Sequence, residues 1–169
     1  MQAMKSRFFR QLQVASLKKM TVRVQTEDFD IGCELASMRL AQPSIGALVS
    51  FVGQVRDING GDAINTLTLE HYPEMTQKAL EAIALDAKTR WDVIDTLIIH
   101  RVGMLKPLDQ IVLVAVTSAH RGEAFKACEF IMDYLKTSAP FWKKEASNQV
   151  ERWVEAKVSD DEAKRRWDK

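Results

Sequence analysis

Two stretches of the chain carry side chains suited to chemistry on an anion. In Thr117-Ser118-Ala119-His120-Arg121-Gly122 a very apolar strand runs into a helix start. Such a junction exposes backbone N–H groups and a partial positive charge. A guanidinium grips phosphate through two parallel hydrogen bonds, and an imidazole adds a third contact or a proton. His120 and Arg121 therefore read either as a phosphate-binding corner or as two solvated side chains on a capped helix start. In Asp133-Tyr-Leu-Lys136-Thr-Ser-Ala-Pro-Phe-Trp-Lys143, Lys136 falls in the last turn of a helix and Lys143 follows the break at Pro140. Both can turn toward one side. Beside another cation, or against an apolar wall such as Phe141 and Trp142, a lysine becomes a nucleophile or proton shuttle. The alternative is that they simply complement the helix dipole. Arg56 stands where the strand Phe51-Val-Gly-Gln-Val enters a Gly-rich loop, a place for binding or for plain solvation. His71 and His100 read as structural, His100 within a buried-looking strand. No His/Asp/Glu spacing suggests a metal, and neither a P-loop nor a GxSxG elbow is present, so no metal or cofactor is expected.

The elements that must position these groups follow from periodicity. Met20–Gln25 alternates as a first strand, and Asp28–Leu40 reads as a helix capped by Asp28 or Asp30, with Ile31, Leu35 and Met38 on one face. Pro43, Ser44 and Gly46 break it. Ala47–Gly53 is strand-like, and Asn59-Gly60-Gly61-Asp62 is a turn signal before the alternating run Ile64–Glu70, which predicts a hairpin with a long, mobile connection. Pro73 opens a helix to about Trp91, with Ala79, Leu80, Ile83, Ala87 and Trp91 inward. Thr96–Gly103 and Gln110–Thr117 are two more strands. Gly122 to about Ser138 is a second long helix with Phe125, Cys128, Ile131, Met132 and Leu135 inward, and Arg152–Ala156 is a last short strand. Two long helices over several strands predict an α+β sandwich of helices on a mainly antiparallel sheet.

Composition limits the alternatives. The 169 residues are 46% hydrophobic and 28% charged, enough to bury one core under a solvated surface. No apolar run approaches the roughly 20 residues of a membrane span. The 24 basic and 23 acidic residues leave a formal +1, so general nucleic-acid binding is disfavoured and any anion site must be local. Cys33 and Cys128 are far apart in apolar surroundings, which predicts two buried free thiols in a reducing cytoplasm. Residues 1–19 form a basic extension carrying Lys5, Arg7, Arg10, Lys18 and Lys19, which reads as a targeting peptide, a surface-seeking helix or, the favoured expectation, a loosely held segment before the domain. The folded domain is expected over 20–158, with 159–169 a charged peripheral tail.

The segments Phe51-Val-Gly-Gln-Val-Arg56, Leu67-Thr-Leu-Glu-His-Tyr-Pro-Glu-Met, Ile99-His-Arg-Val-Gly, Thr117-Ser-Ala-His-Arg121 and Phe130–Glu145 strongly resemble the large, catalytic subunit of molybdopterin synthase, from about Met20 to Ala156. The resemblance implies an α/β hammerhead with an additional antiparallel β subdomain. It also implies a sulfurtransferase that converts cyclic pyranopterin monophosphate (precursor Z) into molybdopterin. Sulfur would come from the C-terminal thiocarboxylate of a small ubiquitin-like subunit, within a heterotetramer built on a homodimer of large subunits. By the same resemblance, His120 and Arg121 hold the substrate phosphate, with Arg56 contributed across the dimer. Lys136 is the general acid/base, and Lys143 orients the thiocarboxylate or stabilises the acyl intermediate. Phe51 and Met132 line the pocket. Lys157 stands where relatives often carry arginine, which would replace a planar fork by a point charge. Two other readings remain: a non-enzymatic module docking a ubiquitin-like partner through the same cationic groove, and a phosphoester hydrolase using His120.

Overall fold

The computed structural model describes residues 19–40, 42–59, 62–147, 151–154 and 158–168. The basic extension, Lys19 excepted, and Lys157 lie outside them. In chain order the elements are β1 (Lys19–Gln25), α1 (Ile31–Arg39), β2 (Ala47–Gln54), β3 (Ile58–Asn59), β4 (Asp62–Ala63), β5 (Thr66–His71), α2 (Pro73–Arg90), β6 (Val93–Arg101), β7 (Gly103–Leu105), β8 (Gln110–Ser118), α3 (Arg121–Thr137), β9 (Phe141–Ala146), β10 (Glu151–Val154) and α4 (Val158–Arg165).

A first sheet has the order β1-β6-β8-β2, antiparallel except for the β1–β6 pair. Its central strands are apolar at nearly every position because both faces are covered. Ile98, Val112, Val114 and Val116 point to α2 and α3, where Leu80, Ile83, Ala127, Phe130 and Ile131 meet them. The alternate residues Leu97, Ile99, Leu113 and Ala115 pack on Met38 of α1 and on Phe29 just before it. A helix caps itself when a side chain satisfies its free first-turn N–H groups. Asp30 does this for α1, accepting from the Cys33 backbone N–H at 2.8 Å.

The second sheet, order β10-β9-β5-β7, is antiparallel throughout. The chain passes between the sheets at Gly103, whose φ of 82° lies in the left-handed region that favours glycine. Leu67, Leu69 and Leu105 form a small core beneath this sheet with Val55. The overall architecture is the expected α+β arrangement.

Four expectations are corrected. The Ala47–Gly53 strand does not form a hairpin with Ile64–Glu70. It pairs with β8, and β5 joins the second sheet between β7 and β9. The Asn59–Asp62 turn signal serves only the two-residue β3–β4 ladder, so local turn chemistry said nothing about the longer strands. Phe125 is exposed, because the buried stripe of α3 runs through Ala124, Ala127, Cys128, Ile131 and Leu135 and turns it outward. Cys33 is exposed on α1, where the adjacent Asp30 carboxylate pushes its thiol pKa up, while Cys128 is buried as expected. Residues 159–168 of the tail are docked rather than peripheral. Trp167 meets Trp91 and Phe130 edge-on and donates its Nε1–H to Asp133 at 2.7 Å.

Candidate active site

Three elements with different reasons for their position converge where the two sheets meet. Along β9 successive side chains alternate, so Phe141, Lys143 and Glu145 share one face. That face is the inner one, because Lys143 and Glu145 lie directly opposite Leu69 and Leu67 of β5. Helix α3 ends against the same space. Its apolar stripe seats Leu135 in the core and leaves Lys136, one residue on, exposed in the last turn. From the first sheet, β2 bulges between Gly53 and Gln54. Val55 is then held on both sides, its N–H on the Asp109 carbonyl and its carbonyl on the Leu108 N–H, each at 2.9 Å. Arg56 leaves from that fixed point.

Together these elements enclose an open cavity of about 450 Å³ lined by Arg56, Lys136 and Lys143, with Phe51 and Met132 among its apolar walls. The lysines and Arg56 thus share one pocket of one chain. Arg56 lines it from the same chain as the two lysines. Neither Lys136, His120 nor Arg121 forms a side-chain hydrogen bond or ion pair among the described residues. The Lys136 ammonium and the Arg121 guanidinium are not consumed by structural partners.

His120 and Arg121 do not line this pocket. They stand exposed at the other end of α3, His120 as an extended N-cap residue whose side chain makes no cap bond. The junction itself is tightly built: the Gly46 N–H donates to the Ser118 carbonyl at 3.0 Å. A Cβ on Gly46 would fall 2.2 Å from the Ala119 carbonyl oxygen, so only glycine lets these backbones approach.

The pocket also holds residues that the sequence reading left out of the site. Glu145 is buried there with its carboxylate 3.5 Å from the Arg152 guanidinium, and Asp160 of α4 reaches the rim. The i, i+2, i+4 spacing of Phe141, Lys143 and Glu145 was the available signal for the first. His100 is buried as expected, with Nδ1 donating to the Arg101 carbonyl at 2.9 Å, yet it forms part of the pocket wall and stacks on Phe141. Burial, then the charge of Lys143 and His71, pushes its pKa down to about 4. His71 is half-buried and its Nδ1 has no partner among the described residues. Trp142 turns away from the cavity and meets Tyr72 edge-on. No group of His, Cys, Asp and Glu suited to a metal ion occurs among the described residues.

Known proteins match this chain in sequence and fold. Residues 24–138 fit the family model described as MoaE protein. A molybdopterin synthase catalytic subunit of Ralstonia nicotianae is 62% identical over 147 residues, covering 87% of this chain and 84% of the relative. The solved structure of molybdopterin cofactor biosynthesis protein E from Burkholderia multivorans superposes with a TM-score of 0.76 at 58% identity, over 89% of this chain and 98% of the other. A complex of subunits 1 and 2 of molybdopterin-converting factor from Helicobacter pylori shares the fold, with a TM-score of 0.65 at 19% identity over 80% and 90% of the two chains. On the strength of the matched span and these identities, the chain belongs to the MoaE protein family.

Proposed function

We propose that this member of the MoaE family moves sulfur from a thiocarboxylate to a cyclic pterin phosphate in the pocket formed by Arg56, Lys136 and Lys143. The chain is an enzyme, a sulfurtransferase of molybdenum-cofactor biosynthesis. The observation that carries the reading is the convergence of three cations from β9, the end of α3 and the end of β2 on one cavity. Both reactants are anionic and repel each other. Fixed cations in a pocket with apolar walls offset that repulsion, and holding the reactants in contact supplies much of the acceleration.

Lys136, exposed at the cavity and free of structural ion pairs, is the proton-transferring group. Lys143, half-buried beside the Phe141 wall, steadies the thiocarboxylate and the acyl intermediate that follows. The thiocarboxylate belongs to the C-terminal tail of a small ubiquitin-like partner. His120 and Arg121 hold the substrate phosphate in the pocket of a second copy. The length of α3 keeps them out of their own, so the active unit is a homodimer with two composite sites, each end carrying one small subunit.

Reconstitution tests the reading. The purified chain, mixed with thiocarboxylated partner and cyclic pyranopterin monophosphate, yields the dithiolene product. A stable complex that forms no dithiolene would instead mark a docking module without catalysis.

A further inference from the structure

A strand at the edge of a sheet presents unpaired N–H and C=O groups, and proteins block such edges with charge, proline or a covering element. The first sheet treats its two edges differently. β1 carries Lys19 and Arg23 and is covered by α2, whose Gln77 donates to the Val22 carbonyl at 3.2 Å and whose Lys88 donates to that of Lys19. β2, at the opposite end, has β8 as its one neighbouring strand among the described residues. Its run Ala47-Leu-Val-Ser-Phe-Val-Gly53 holds no charge and no proline, and the bulge comes only after Gly53. Ser50 and Phe51, at its middle, are exposed.

The helix beside this edge also leaves apolar surface uncovered. Arg121, Phe125, Met132 and Lys136 fall within about 60° of arc on α3. Met132 and Lys136 line one cavity with Phe51, so this stripe faces the β2 side. Phe51 and Phe125 are 40% and 60% exposed, and two such aromatics beside an unblocked edge mark a surface for association. The two elements run in step. β2 starts beside the start of α3, where Gly46 packs on Ala119, and the chain beyond it reaches the cavity at Arg56 with Lys136. Ala47–Gln54 spans about 23 Å and Arg121–Lys136 about 22 Å. A half-turn about the middle of β2 therefore exchanges the two ends.

Resting on the reading that the active unit holds two composite sites, we propose that a second copy of this chain docks on the open edge of β2, the two β2 strands pairing antiparallel about Ser50–Phe51. Two four-stranded sheets then join into one, both α3 helices lie on the same face, and each copy covers the Phe51 and Phe125 of the other. His120 and Arg121 of one copy stand level with Arg56 and Lys136 of its mate. Strand pairing thus sets the register between the two halves of each site.

The interface is read without partner or substrate. Light scattering from the purified chain should give twice the chain mass. In a Cys33→Ser background, with Cys128 buried, Ser50→Cys and Phe51→Cys are oxidised in turn. A residue on the twofold axis faces its own copy with Cα atoms about 4.5–5.5 Å apart, within disulfide reach, so at least one of the two should give a covalent dimer. Thr21→Cys, on the blocked edge, should give none. Phe125→Glu enters the interface twice and should raise the dimer dissociation constant about a hundredfold or more, with the circular dichroism spectrum unchanged. Ser50→Lys, which puts on β2 a charge of the kind β1 carries, should do the same. Leu85→Glu, similarly exposed on α2, should leave the dimer intact. Dithiolene formation in the reconstituted complex should fall in step with dimer content. A monomeric wild type, no cross-link at either β2 position, a cross-link at Thr21→Cys, or a wild-type dissociation constant in Phe125→Glu or Ser50→Lys overturns the proposal. A dimer joined at β2 that makes no dithiolene overturns the sulfur-transfer reading instead and leaves the interface standing.

Discussion

Arg121 and Lys136 stand at opposite ends of one helix, 15 residues apart and so about 22 Å apart along its axis. One copy of the chain cannot bring both to the same small substrate. A phosphate site at Arg121 and a sulfur-transfer site at Lys136 serve one reaction only when two copies face each other.

That geometry predicts complementation between two inactive variants. Lys136→Ala and Arg121→Ala homodimers should each be inactive or nearly so. Mixing and re-associating them creates dimers in which one pocket combines Lys136 of one copy with Arg121 of the other. With random pairing, about a quarter of wild-type activity should return, since half the dimers are mixed and half their sites are whole. A mixture no more active than its parents would mean that both residues act within one copy, or that Arg121 has no part.

Much of this arrangement was legible in the sequence, for identifiable reasons. The continuous apolar run Gln110–Thr117 and the helical stripe of Leu80, Ile83 and Ala87 follow directly from burial, on both faces of the strand and on one of the helix, so both elements fell where expected. The pairing of β2 did not. The residues of Ala47–Gln54 show a strand, but its partner β8 lies some sixty positions later and no local signal encodes that choice. Gly46 read as a helix breaker, whereas its structural reason is the Ala119 carbonyl packed against it. For His100 the sequence suggested burial correctly. Strand alternation alone cannot tell a core wall from a pocket wall, because the cavity is created by α3 and the second sheet arriving there. Lys136, Lys143 and Arg56 were marked by residue type and by the breaks beside them. Their meeting needed the fold.

The docked C-terminus should matter for stability. Trp167 packs on Trp91 and Phe130, Arg90 donates to its carbonyl at 2.8 Å, and Arg166 pairs with Asp133 at 2.9 Å. Trp167→Ala removes a half-buried indole and one bond to a carboxylate, which should cost about 2–3 kcal/mol. Urea unfolding followed by far-UV circular dichroism measures it. A loss below about 0.5 kcal/mol, the level of an ordinary surface substitution, would mean that the tail is not held in solution.

Acid sensitivity should trace in part to His100. The ring titrates near 6.5 when unfolded and at about 4 when folded. Between those values the unfolded chain binds a proton that the folded chain refuses, so stability is intact above pH 6.5 and falls as pH drops through the window. The full effect is on the order of 3 kcal/mol. Unfolding free energies at pH 7.5, 5.5 and 4.5 should therefore decline less steeply for His100→Phe than for wild type. Parallel declines would show that His100 charges without penalty.

The central claim is that sulfur transfer occurs in the cavity where Arg56, Lys136 and Lys143 meet. A single-turnover assay tests it most directly, with thiocarboxylated partner and cyclic pyranopterin monophosphate presented to wild type and to Lys136→Ala. The variant should retain the wild-type circular dichroism spectrum and still bind the partner, yet form no detectable dithiolene on the wild-type timescale. Dithiolene formation by Lys136→Ala at a rate near wild type would contradict the account.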